Sequence, residues 1–219
     1  MSKKRNMPQH GRKAARPRRS RKKRYLVVAG GAVTEKRYFT QLQSLYNVNI
    51  EYQYKNNSPA QLAKYAAKLK EEDERDTSTD CYEKVWVVVD VDNFHDHGQA
   101  AKICKDNGIE LVISNPCFEV WLFDHISICP SSFTLTSIVE SAAEKAGISK
   151  GNRGKDINAK LIDSGHISNA MHNAERHNTV EHKHGRDRLI PQQEQKYAPW
   201  TDMPTVIKTL EQSNHQYSR

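Results

Sequence analysis

Apolar positions along the chain fall into short β-branched runs separated by segments of helical period. RYLVVA, residues 24–29, is the first such run. TEKRYFTQLQSLY follows, with Tyr38, Leu42 and Leu45 at helical spacing and Thr34 as the expected N-cap. NIEYQYK alternates with period two, the pattern of a strand close to a sheet edge. SPAQLAKYAAKLKEEDERD opens with Ser58 as cap and Pro59 at the first helical position, and sets Leu62, Tyr65, Ala66 and Leu69 on one face. EKVWVVVDVD is the most apolar stretch of all. Its unbroken Val-Trp-Val-Val-Val predicts burial on both faces, as at the centre of a parallel sheet. GQAAKICKDNG then reads as a short helix closed by Gly108, IELVISN as a strand, and CFEVWLFDHI as a helix beginning just past Pro116.

Strand and helix alternate four times, which predicts a doubly wound, mostly parallel α/β sheet with helices on both faces, over residues 25–128. Beyond Pro130, SSFTLTSIVESAAEKAG, DINAKLIDSGHISNAMHNAERHN and MPTVIKTLEQSN read as helices joined by polar loops. No further strand is predicted there, so residues 129–219 are expected to form a helical C-terminal extension packed on the sheet.

The net charge of +8 is unevenly distributed. Residues 1–24 hold 12 of the 34 Lys and Arg residues and no Asp or Glu, which leaves 22 basic against 26 acidic residues, a net of −4, for the rest. This predicts a disordered basic arm, because such a composition cannot bury enough surface to fold alone. Arg18, Arg19, Arg21, Lys22, Lys23 and Arg24 are its candidates for sequence-independent contact with nucleic-acid phosphates; the alternative is an inert, solvated terminus. No run approaches the roughly 18 apolar residues of a membrane span. No apolar signal segment follows the basic start, so a cytoplasmic location is expected. Cys81, Cys104, Cys117 and Cys129 show no CxxC spacing and read as scattered, reduced residues rather than a disulfide framework or zinc site.

In an open parallel sheet, ligands bind beyond the carboxyl ends of the strands. VVVDVDNF places Asp90 and Asp92 at one such end, on the same face of an extended chain, where both can reach one hard cation such as Mg²⁺ or Mn²⁺. Glu35, one turn past the glycines of VVAGGAVTE, is either a residue interacting with the helix dipole or a third ligand. Glu119, in SNPCFEVW, carries the same two readings. Arg153 and Lys155, with Lys150, form a small basic group that either clamps a phosphate backbone or keeps a loop soluble. His166, His172, His177, His182 and His184 are read as solvated surface. His95 and His97 follow the Asp pair and are candidates to donate to a phosphate or activate water. A phosphate loop of the G-x-x-x-x-G-K-[ST] type is absent, which argues against ATP hydrolysis by this chain alone.

LVVAGGAVTEKRYF, VWVVVDVDNF and VISNPCFEVWLFDHI, in that order and spacing, resemble the RloB-like family, whose cores look like TOPRIM domains. The resemblance covers about residues 25–128, with a weaker echo in MPTVIKTL. It implies a bacterial anti-phage, abortive-infection type of defence protein, often encoded beside an ABC/SMC-like ATPase partner. It further implies Mg²⁺- or Mn²⁺-dependent cleavage of DNA or RNA, as in the related OLD-type nucleases. On the family pattern, Asp90 and Asp92 match the metal-binding D-x-D, and Thr34-Glu35 match the end of the E-G-x-x-T-E motif. The first Glu of that motif falls on Gly30.

Three consequences of that glycine stand open. The site holds metal through Glu35, Asp90 and Asp92, with Glu119 in support, and remains a nuclease; or catalysis is lost and a binding subunit or sensor for a partner ATPase or nucleic acid remains; or the Gly-Gly turn makes room for a nucleotide phosphate. The expectation carried forward is the first, with catalytic groups Glu35, Asp90, Asp92 and Glu119.

Overall fold

Four strands, Arg24–Ala29 (β1), Asn49–Tyr54 (β2), Lys84–Asp90 (β3) and Glu110–Asn115 (β4), run parallel in the spatial order β2-β1-β3-β4. The computed structural model describes residues 22–91, 94–150 and 156–215. The side chains of the two central strands alternate between two apolar layers, as the period of two requires. Tyr25, Val27, Ala29, Trp86 and Val88 face one layer, and Leu26, Val28, Val85, Val87 and Val89 face the other. Both central strands are therefore buried on both faces. β2 lies at the sheet edge, in keeping with its mixed polarity.

One face is covered by the helices Pro59–Arg75 (α2) and His97–Asp106 (α3), through Leu62, Ala63, Ala66, Ala100 and Cys104. Ser58 and Pro59 start α2 as their chemistry suggests: the Ser58 N–H donates to Gln61 Oε1 at 3.2 Å. The cap is completed by a residue from the loop after β3, because Asp96 Oδ2 accepts from Ser58 Oγ at 2.6 Å and from the Ala60 N–H at 3.3 Å.

The opposite face is covered by Thr34–Leu45 (α1), Glu119–Asp124 (α4), Thr136–Lys145 (α5), Ser164–His177 (α6) and Met203–His215 (α8). Tyr38, Leu42, Trp121, Ile167, Ala170, Met203, Val206, Ile207 and Leu210 all join a single cluster with Tyr25 and Trp86. The C-terminal half therefore shares the core of the sheet. Thr34 is the first residue of α1 and is buried; Val33 occupies the capping position.

The second half also contains strands that its sequence pattern does not predict. Ser149–Lys150 (β5) and Asp156–Ile157 (β6) pair with each other, and Trp200–Thr201 (β7) adds to the main sheet antiparallel to β4. Each is two residues long, too short to show any periodicity.

Asp202 holds β7 in place. Its backbone N–H donates to the Ile113 carbonyl and its Oδ2 accepts from the Ile113 N–H, both at 2.9 Å. The same Oδ2 accepts from Arg186 Nε and Nη2 at 2.8 and 2.7 Å, and Oδ1 accepts from Trp200 Nε1 at 2.8 Å. Arg186 belongs to Val180–Arg188 (α7), so one carboxylate joins β4, β7, α7 and the start of α8. Asp202→Ala leaves a largely buried guanidinium and a strand N–H without this partner, and is expected to cost about 3 kcal/mol in urea unfolding. Asp187→Ala, which removes an exposed pair with Lys183, is expected to stay within about 0.5 kcal/mol.

Candidate functional site

The connection from β1 leaves toward β2, whereas the chain from β3 continues toward β4, so the strand order reverses between the adjacent strands β1 and β3. A crevice opens at the carboxyl ends of two strands whose connections diverge in this way. A cleft of about 230 Å³ lies there, lined by Gly30, Gly31, Glu35, Asn56, Asn57, Pro59, Leu62, Val88, Val89, Asp90 and Phe94. The described lining residues include two carboxylates, two side-chain amides and no Lys or Arg. Its fixed charge is therefore negative.

Glu35 enters the cleft from the first turn of α1 and is only 7% exposed. The two glycines before it play different parts. A Cβ on Gly31 would overlap the Glu35 carboxylate, so the absence of a side chain there is what lets the carboxylate lie against the backbone. A Cβ on Gly30 would meet only Leu62 Cδ1, at an ordinary 3.8 Å, so a side chain fits at that position. The Gly31 carbonyl accepts from the Tyr52 hydroxyl at 2.6 Å, which ties the turn to β2.

Asp90 ends β3 and sits between two groups that register its charge. The buried Tyr52 phenol is pushed far up, first by burial and then by the negative charges of Glu35 and Asp90. Across the strand, the Cys117 thiol is pushed up by burial and then by Glu119 and Asp90. Tyr52 thus feels both Glu35 and Asp90, and Cys117 feels both Glu119 and Asp90. Glu119 begins α4 and is not among the described residues that line the cleft. Asp92 lies outside the described residues.

The histidines after Asp90 are committed elsewhere. His97 is buried and its Nε2–H donates to the Asp90 carbonyl at 2.9 Å. Burial holds its pKa below the ordinary value, so it acts as a neutral brace for the strand end. His95 Nδ1 pairs with Glu194 at 2.9 Å. They bound a second groove of about 740 Å³, which includes Val91, Asn115, Thr134, Ser137 and Gln192 and lies beside the ends of β3 and β4.

Of the predicted phosphate-binding residues, Lys22, Lys23 and Arg24 fall among the described ones. Lys23 pairs with Glu83 at 3.3 Å and Arg24 with Asp73 at 2.9 Å, and the Arg24 guanidinium stacks over Tyr82 at 4.4 Å. Both occupy the amino-terminal end of β1, opposite the cleft. Lys22 borders a surface depression at that same end. Arg18, Arg19, Arg21, Arg153 and Lys155 lie outside the described residues.

Four residues escape the sequence reading. Asn56 and Asn57 line the cleft after β2, and Tyr52 of β2 bonds the Gly31 turn; their only signal is the strand–turn punctuation that follows NIEYQYK. His177, read as solvated surface, is instead buried at 5% exposure and bonded to Asp124.

The steric relation between Gly31 and Glu35 is measurable. Gly31→Ala is expected to cost about 1–2 kcal/mol of stability in the wild-type background and much less in a Glu35→Ala background. Gly30→Ala should be close to neutral in both. Equal costs for Gly31→Ala in the two backgrounds would contradict the contact.

Comparison with known proteins gives one positive result. No curated protein matches the chain, but the family model described as RloB-like protein matches residues 25–210. That match spans both the sheet and most of the C-terminal half, and the chain therefore belongs to the RloB-like protein family.

Proposed function

We propose that this chain is a divalent-metal-dependent nuclease with a TOPRIM-like core, cleaving phosphodiester bonds of DNA or RNA in anti-phage defence. One observation carries the reading: Glu35 and Asp90 converge on one cleft at the sheet's switch point. Carboxylates gathered in such a place favour a cation or a shared proton. Carboxylate and amide oxygens suit Mg²⁺ or Mn²⁺ rather than a softer metal. The donor set of Glu35 and Asp90, with Asn56 and Asn57 beside them, therefore fits the implied ion, and Asp92 follows two positions after Asp90 in sequence.

Bound there, the ion would neutralise a phosphate oxygen and make a coordinated water more acidic. The protein's part is positional. Gly31 admits the Glu35 carboxylate to the backbone, His97 holds the Asp90 carbonyl, and Asp96 fastens the loop after β3 to the start of α2. Glu119 supports Asp90 from the β4 side. A nucleic-acid strand would lie in the groove that begins at Val91, next in sequence to Asp90, and the basic arm of residues 1–24 supplies phosphate contacts. An ABC/SMC-like ATPase is the proposed partner that governs when cleavage occurs.

Gly30 favours a second reading, a binding subunit or sensor without catalysis, because it contributes no carboxylate where the family pattern carries one. The two readings separate in a cleavage assay with plasmid, single-stranded DNA and tRNA, in Mg²⁺ or Mn²⁺. Asp90→Ala is expected to lower the cleavage rate on the order of 100-fold or more. Gly30→Glu, at a position where a Cβ meets only an ordinary contact, is expected to raise it about 10-fold or more. Metal-dependent binding of these nucleic acids without cleavage, in both the wild type and Gly30→Glu, would reject the nuclease and select the binding subunit.

A further inference from the structure

A second group of metal-ligating side chains lies away from the cleft. Asp124 at the end of α4, Cys129 in the loop that follows, and His177 at the end of α6 each offer one ligand atom, and these atoms lie within 4.8 Å of one another. All three residues are buried, at 0%, 3% and 5% exposure. No other such group of three or more occurs among the described residues.

The hydrogen bonds around the group aim its ligand atoms inward and leave one carboxylate oxygen unpartnered. His177 Nδ1–H donates to the Pro199 carbonyl at 3.3 Å, which turns Nε2 inward, 2.8 Å from Asp124 Oδ2. A backbone carbonyl on the outer nitrogen is the arrangement that orients a metal-binding imidazole. Asp124 Oδ1 is fully buried with no hydrogen-bond partner, an atom that costs free energy unless something fills its coordination. Cys129 Sγ lies 3.3 Å from the Val120 carbonyl oxygen. A divalent ion with one thiolate, one carboxylate and one neutral imidazole makes the group electrically neutral.

We infer that Asp124, Cys129 and His177 form a structural site for a borderline-soft divalent ion of the Zn²⁺ class, which clamps α4 and its following loop to α6. The sulfur and nitrogen donors select against Mg²⁺, so this site is chemically distinct from the strand-end cleft. Without an ion, the same contacts amount to a buried Asp–His pair with an adjacent thiol.

Titration of the full-length, metal-stripped protein with Co²⁺, a spectroscopic stand-in for Zn²⁺, separates the two. The site predicts a stoichiometric thiolate-to-Co²⁺ charge-transfer band that Zn²⁺ abolishes by displacement and that Mg²⁺ in excess does not. Cys129→Ser should lose the band, and His177→Gln should weaken binding on the order of 100-fold. Asp90→Ala should leave it unchanged, so failure here is distinct from failure at the cleft. Folded wild-type protein that binds Co²⁺ with no thiolate band, or a band that survives Cys129→Ser, overturns the proposal. The wild-type titration decides the matter even where a variant does not fold.

Discussion

Between Tyr25 and Ala29, and between Val85 and Val89, every side chain is buried against one face of the sheet or the other. A polar group has no place along either strand until the chain leaves the sheet. Gly30 and Asp90 are the first residues free of that constraint, and they lie one step apart in register because β1 and β3 are parallel neighbours, with Ala29 opposite Val88. Double-sided burial thus excludes chemistry from the middle of the sheet and concentrates it at one edge. The reversal of strand order at the same pair of strands keeps connecting segments from closing over that edge.

The second half of the chain is what makes the constraint hold. α5, α6 and α8 cover the face that carries Trp86 and Val112, and β7 extends the sheet beyond β4. Asp202 links these pieces through a single carboxylate, while Asp124 and His177 link α4 to α6. Two acidic residues therefore serve architecture, Asp202 met by a guanidinium and Asp124 by an imidazole, while Glu35 and Asp90 line the cleft.

The parts of the molecule legible in sequence were those whose physics is local. Five consecutive apolar residues in β3 required a two-sided core, and Ser58-Pro59 specified a helix start with its own cap. Asp90 and Glu35 were visible because they punctuate such runs. What escaped was set by tertiary contact. Trp200–Thr201 becomes a strand only because Asp202 holds it to Ile113. His177 sits in a polar stretch, and nothing within ten residues announces that Asp124 awaits it 53 positions earlier. Thr34 had the chemistry of a cap but is drawn into the first helical turn and buried. The family resemblance names the position at which a glutamate is replaced by Gly30; the geometry adds that a Cβ fits there without overlap, whereas at Gly31 it would overlap the Glu35 carboxylate.

The central claim is that a hard divalent ion binds at the ends of β1 and β3 through Glu35 and Asp90. Paramagnetic broadening by Mn²⁺ in amide-resolved NMR spectra tests it most directly. The account predicts that substoichiometric Mn²⁺ broadens Gly30, Gly31 and Val91 first, that excess Mg²⁺ reverses the effect, and that Asp90→Ala removes it. Broadening that begins elsewhere, or that persists at these amides in Asp90→Ala, would contradict the account.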